Sequence, residues 1–169
     1  MYIDFYEKLN KNQEVEIKKL LEKCDNEFVP PLSSRKSTTQ ENLIDLNNGG
    51  IDDYLEAIKN QNFILAIHQG VIVGFMSFKK NYTCEHISNS YSINIYITTI
   101  IVDPEFRKRG ISRSLYHYVL DRYKDRYIFT RTWSTNYSHI SLLESLKFEN
   151  YCTLLNDRGN NIHTLYFCK

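Results

Sequence analysis

Hydrophobic residues first recur along this chain at helical spacing. From Gln13 to Cys24 the set Ile17, Leu20, Leu21 and Cys24 follows the i, i+3, i+4, i+7 pattern of an amphipathic helix. A short strand is expected before it, over Tyr2–Tyr6. Pro30-Pro31 ends any helix nearby and starts an extended crossing. Two further helical patterns follow, one over Gln40–Leu46 that stops near Gly49-Gly50, and one carried by Ile51, Tyr54, Leu55 and Ile58.

The period then shortens. Asn62–His68 and Val71–Phe78 are apolar, β-rich runs separated by Gln69-Gly70, a hairpin signal. Gly74 inside the second run costs stability unless a bulge or a close backbone approach needs it. Residues Asn81–Ser92 have no period and read as a loop, and Ser92–Val102 as a strand. A helix from Ile111 to about Tyr123 is expected to bury Ile111, Leu115, Tyr118 and Val119. Tyr127–Trp133 reads as a strand and Asn136–Leu146 as a helix with Ile140, Leu143 and Leu146 inward. Two last strand patterns, Tyr151–Asn156 and His163–Cys168, flank a turn at Asp157-Arg158-Gly159-Asn160. With no repeat and no linker, residues 1–169 are expected to form a single α/β domain with a mixed central sheet flanked by helices.

Composition narrows the function. At 169 residues the chain can bury roughly 70% of its unfolded surface, so neither a metal nor a disulfide is needed for stability. A net charge of +1 argues against a nucleic-acid partner. Cys24, Cys84, Cys152 and Cys168 are scattered, with no CxxC and no His at metal spacing. They read as reduced cysteines of a cytoplasmic protein, with no metal site. No apolar run approaches the roughly 20 residues that span a bilayer, and no signal core opens the chain, so no membrane association is expected. Two glycosylation sequons, at Asn81 and Asn136, are read as chance.

The chemistry concentrates between Thr98 and Leu115, TTIIVDPEFRKRGISRSL. A buried strand ends at Asp103-Pro104, a basic loop follows, and a helix opens after Gly110. Backbone N–H groups at such a helix start form an anion site from the main chain alone. Arg107, Lys108, Arg109 and Arg113 sit where the helix dipole is positive, mildly unfavourable by roughly 0.3–1 kcal/mol each. An anion among them removes that cost; a solvated basic loop is the plainer alternative.

The Arg107-x-x-Gly110-x-Ser112 spacing resembles motif A of the GNAT N-acetyltransferase superfamily, usually Arg/Gln-x-x-Gly-x-Gly/Ala. Asn136 to Phe148, NYSHISLLESLKF, is similar to motif B, matching at Asn136, Ile140, Leu142 and Phe148. The element order is also that of the family. The resemblance implies acetyl-CoA as co-substrate, with its pyrophosphate on the amides of Arg107, Lys108, Arg109, Gly110, Ile111 and Ser112 and with Arg113 also binding the cofactor. It also implies strand contacts at Ile100, Ile101 and Val102, and pantetheine at Asn136. Read alone, Asn136 is more a helix N-cap than a ligand contact, and Ser134 or Thr135 could equally cap.

Two positions depart from motif B. Lys147 replaces a Gly, which suggests a different helix end, and Leu143 replaces the Tyr that often protonates the departing thiolate. His139 replaces an Ala three residues from Asn136 and is the catalytic candidate on that helix, a structural His being the alternative. The strand before the loop carries no Glu, leaving Glu85, His86 and His139 as candidate bases and Ile100–Val102 amides as oxyanion donors. These features imply an acetyl-CoA-dependent N-acetyltransferase acting directly on a primary amine in a ternary complex, as a monomer or homodimer. A ribosomal-protein or N-terminal acetylase and a non-catalytic acyl-CoA-binding module are the alternatives. Nothing in the sequence gives the four cysteines a covalent role.

Overall fold

A computed structural model describes residues 1–44 and 49–169. Seven strands form one sheet in the order β1-β2-β3-β4-β5-β7-β6. They are β1 (Tyr2–Tyr6), β2 (Asn62–His68), β3 (Val71–Lys80), β4 (Asn94–Val102), β5 (Tyr127–Trp133), β6 (Glu149–Leu154) and β7 (Thr164–Cys168). The helices are α1 (Lys11–Cys24), α2 (Ile51–Ile58), α3 (Ile111–Arg122) and α4 (Tyr137–Ser145). Only β4 and β5 pair in parallel, which requires the crossover through α3; every other pair is antiparallel.

The alternation of β2 decides how the layers assemble. Ile64 and Ala66 face one side, with Ile111, Leu115, Tyr116 and Val119 of α3 and Leu143 of α4. Phe63, Leu65 and Ile67 face the other, with Ile17, Leu20 and Leu21 of α1 and Tyr54 and Ile58 of α2. A three-layer α/β/α sandwich results. Each fully buried Leu or Ile side chain contributes roughly 1.5–3 kcal/mol.

Local chemistry sets the element ends. The Asn10 and Gln13 side chains each accept the other's backbone N–H at 2.9 Å, so α1 begins at Lys11, two residues before the apolar period suggests. The β2–β3 turn places Gln69 and Gly70 in the left-handed region, φ 51° and 82°, as a two-residue hairpin requires. A Cβ on Gly74 would lie 3.0 Å from the Ile101 carbonyl oxygen, so the glycine allows β3 and β4 to approach.

Three expectations need correction. The chain is turned rather than helical through Ile44, and the rest of the Gln40–Leu46 reading lies outside the described residues. On α3 Tyr116, not Tyr118, is fully buried, because Tyr116 follows Leu115 onto the sheet-facing stripe. Lys147 closes α4 in the way a glycine there would. It adopts φ 65°, donates to Glu144 O at 2.9 Å, and Phe148 donates to Leu143 O at 3.0 Å, a Schellman closure built with lysine where glycine is usual.

Candidate functional site

The sheet parts between its two parallel strands. β4 and β5 pair only from Asn94↔Tyr127 to Ile97↔Thr130, although both continue. Thr98 is bulged out of the β3–β4 ladder, since Ser77 faces Thr99 and Phe78 faces Ile97. Beyond Ile97, β4 has no strand partner on its β5 side, so alternate N–H and C=O groups face the gap. That gap is the floor of a cleft of about 440 Å³, lined by Thr98–Val102, Thr130–Trp133, Arg107, Lys108, Ser112, Asn136 and His139 among others.

At the mouth of the cleft α3 starts with Gly110 at φ 77° and has no capping side chain. Lys108 is also left-handed, φ 61°. Among the described residues, the amides from Lys108 to Arg113 donate to no backbone or side-chain acceptor. By contrast, α1 and α4 are capped by Asn10 and Asn136. A Cβ on Gly110 would meet no atom within 4 Å, so its glycine serves the backbone angle and the open space above it.

The four cations divide. Arg107 turns inward, with Nε on Val102 O at 3.0 Å and Nη2 on Cys24 Sγ at 3.4 Å and on Glu27 at 2.8 Å. It pins the loop to β4 and to the segment after α1. Arg109 folds back over Phe106, 5.0 Å from the ring, and donates to Glu105 O at 3.2 Å. Arg113 donates to Ser145 Oγ at 2.8 Å on α4. Lys108 alone has no partner among the described residues, and it lines the cleft. Gly110, Ile111 and Arg113 border the adjoining recess, with Val102, Ser112 and Leu142.

On α4, Asn136 both caps and lines the cleft: its Oδ1 accepts from His139 N at 3.4 Å and its Nδ2 donates to Thr132 Oγ1 at 3.1 Å. His139 Nε2 lies 2.8 Å from the Tyr116 hydroxyl. Burial pushes the imidazole down to about 4, and pushes the Tyr116 phenol well above its ordinary value. At neutral pH His139 is therefore a neutral ring. Leu143, where the family has its tyrosine, is fully buried in the core, and Leu142 faces the cleft instead.

The expected bases Glu85 and His86 do not line the cleft; they face one another at 3.3 Å near Glu41. Glu27, just past α1, is the one carboxylate among the lining residues. Nothing local in the sequence distinguishes it, because only the fold brings it to Arg107. Arg35, Arg131 and Arg158 also line the cleft and were likewise not singled out from the sequence. Cys24 borders the cleft, but burial raises its thiol, as it does those of Cys152 and Cys168, and all four cysteines are free.

The model of the Acetyltransferase (GNAT) family matches residues 20–148. No curated protein matches the chain. Solved structures match it closely in shape. An N-acetyltransferase from Staphylococcus aureus Mu50 superposes with a TM-score of 0.72 at 15% identity, covering 100% of this chain and 98% of that one. An aminoglycoside 6'-N-acetyltransferase from Enterococcus faecium gives 0.70 at 16% identity, covering 100% and 96%. A protein from Bacillus anthracis described as a streptothricin acetyltransferase, in complex with acetyl coenzyme A, gives 0.53 at 20% identity over 64% and 61%.

Proposed function

The chain belongs to the GNAT acetyltransferase family, and from that premise we propose that it transfers an acetyl group from acetyl-CoA to a primary amine by direct attack. The observation that carries this reading is the run of unpartnered amides from Lys108 to Arg113 at an uncapped helix start, opening on the gap between β4 and β5. Such a start attracts a phosphate oxyanion without any side chain, and Lys108 adds the one uncommitted charge. Asn136 retains a second Nδ2 hydrogen for a pantetheine amide. The unpaired edge of β4 at Ile100–Val102 supplies backbone donors for that arm and for the oxyanion that forms on the acetyl carbonyl.

Bound acetyl-CoA supplies the thioester carbon; the protein must position the amine and manage its proton. The amine nitrogen bonds to the acetyl carbon, the carbon–sulfur bond breaks, and the sulfur leaves with the electron pair. A lysine-like amine costs about 5 kcal/mol to deprotonate at pH 7. Glu27, directly or through one water, is the group in the cleft wall able to take that proton. The thiolate of a thiol with pKa near ~8.5 leaves with little assistance, so His139 acts as a neutral hydrogen-bonding residue and no side-chain acid is required.

Calorimetry with coenzyme A tests the site. Gly110→Val forces a β-branched residue to a positive φ and adds bulk above the amides, so affinity should fall at least tenfold. Wild-type affinity in that variant refutes the assignment. Thiol release across a panel of amines separates an enzyme from a non-catalytic acyl-CoA-binding module.

A further inference from the structure

The cleft passes through the sheet, and its two faces differ in charge. Along β5 the side chains alternate: Ile128 packs on the α3 side and Phe129 on the other. Thr130 and Thr132 therefore face α3 and α4, as the Thr132–Asn136 contact requires. Arg131 and Trp133 face the opposite side. There they meet Phe28, whose ring lies 5.5 Å from Trp133, with Arg35 over Phe28 at 5.5 Å and Arg158 over Trp133 at 5.8 Å. Three arginines from distant parts of the chain thus line the face away from the coenzyme A loop.

They have been taken out of water without a direct ion pair: Asp25 acts on Arg35 only at a distance, and Asp157 reaches Arg158 through the Thr164 hydroxyl. Arg35 and Arg158 are only 5% and 6% exposed. Every hydrogen-bond partner is a neutral oxygen. Arg35 donates twice to Pro30 O, at 3.0 and 2.7 Å. Arg131 donates to Thr38 O at 3.2 Å, Gln40 O at 2.7 Å and the Tyr166 hydroxyl at 3.4 Å. Arg158 donates to Thr164 Oγ1 at 2.9 Å and Val29 O at 2.6 Å. Among the described residues none of the three forms an ion pair.

Two of the three are made more acidic by this arrangement, whereas the Tyr96 and Tyr166 phenols outweigh burial and raise Arg131. Burial and then Arg131 push Arg35 down to about 10, and burial, Arg35 and Arg131 push Arg158 down to about 9, so both remain charged at pH 7. Buried charges are normally paired. The unused nitrogens, Nη1 of Arg35 and Nη2 of Arg158, are not sealed off, because the one sealed side-chain atom without a partner among the described residues is the Tyr123 hydroxyl. Glu27, the only carboxylate in the cleft wall, is engaged by Arg107. The fold therefore holds a fork of guanidinium donors at the cleft with, among the described residues, no carboxylate bonded directly to it.

We propose that this cluster is the acceptor subsite, and that the acceptor is an amine bearing an oxyanion, a carboxylate or a phosphate, which Arg35, Arg131 and Arg158 bind while the amine points to β4. The proposal rests on the acetyltransferase reading for its orientation, but the anion site itself does not. Planar guanidinium forks match oxyanions geometrically as well as in charge.

Two measurements test it. Thermal unfolding is followed with glutarate and with inorganic phosphate against chloride at matched ionic strength, with and without saturating coenzyme A. Wild type should be stabilised by at least one of the two anions even when coenzyme A fills its own loop. Arg158→Met should raise the anion's Kd at least tenfold. Arg35→Lys, which keeps the charge but loses the fork and so guards against a folding defect, should weaken it too. No anion-dependent shift, or equal affinity in both variants, overturns the proposal while leaving coenzyme A binding untouched; loss of coenzyme A binding alone would instead fault the acetyltransferase reading. Thiol release then compares matched amines: glycine with glycinamide, and phosphoethanolamine with ethanolamine. Faster turnover of the neutral member of both pairs, or preference for succinyl-CoA over acetyl-CoA with a neutral amine, also overturns it.

Discussion

His139 offers a quantitative test of the site's electrostatics. Its ring is packed against Tyr116 with a 2.8 Å contact, and burial pushes it down to about 4. At pH 7 roughly one ring in a thousand would be protonated, and forcing the proton on costs about 4 kcal/mol. The unfolded chain titrates near ~6.5, so between that value and 4 the unfolded state binds more protons than the folded one. Stability is then fully present above about 6.5 and is lost as pH falls through the window towards 4. A shift of about 2.5 units corresponds to about 3 kcal/mol, an upper limit because the residue keeps some surface open to the cleft. Urea unfolding of wild type and His139→Gln at a series of pH values isolates this contribution: the difference between the two curves should shrink by up to about 2.5 kcal/mol as pH falls from 7.5 to 4.5. A constant difference, or an imidazole resonance titrating at 6.5 or above, would refute the reasoning. So would a turnover profile that loses its alkaline limb in the variant, since that limb is the signature of an imidazolium acid.

Lys147→Gly should stabilise the fold by roughly 1 kcal/mol in chemical denaturation, because a left-handed non-glycine residue costs about 1–2 kcal/mol; no gain would mean that the lysine side chain compensates. Arg107→Met should lower stability by about 1–3 kcal/mol through its lost bonds to Val102 O and Glu27, whereas Lys108→Met should leave stability unchanged and weaken coenzyme A binding in calorimetry. Glu27→Gln should lower turnover by ~10²-fold or more with coenzyme A affinity retained; an unchanged rate would assign the proton to bulk water.

The regular elements were legible wherever burial imposes a period. β2, α2 and β5 coincide with the apolar patterns that announced them, and the strand–loop–helix around Gly110 was readable because its parts are contiguous. Failures came where tertiary contacts decide. A two-position difference in which tyrosine α3 buries changes what stands behind His139, and helical periodicity alone could not separate Tyr116 from Tyr118. The roles of Arg107, Arg109 and Arg113 looked alike in sequence, yet each is committed to a different partner. Glu27, Arg35, Arg131 and Arg158 each look like ordinary polar residues until the sheet parts and places them around one space.

That space also explains how the chain can do without a carboxylate on β4. Likeness of fold to an aminoglycoside acetyltransferase, at 16% identity, carries no acceptor with it, and the local charge argues for a different one. Five cations and one carboxylate line the cleft, with His139 neutral. Two like charges at roughly 8 Å repel by about 2 kcal/mol at an effective dielectric of 20. A polycationic amine would meet that cost at each ammonium group. An amine tethered to an oxyanion meets it once, at the nitrogen, and recovers more than that from the arginines. Repulsion at the nitrogen is useful, because it disfavours the ammonium form and lowers the cost of reaching the neutral nucleophile. The arginines can thus bind one end of the acceptor and help to deprotonate the other, which leaves Glu27 a smaller task than a lone catalytic base would face.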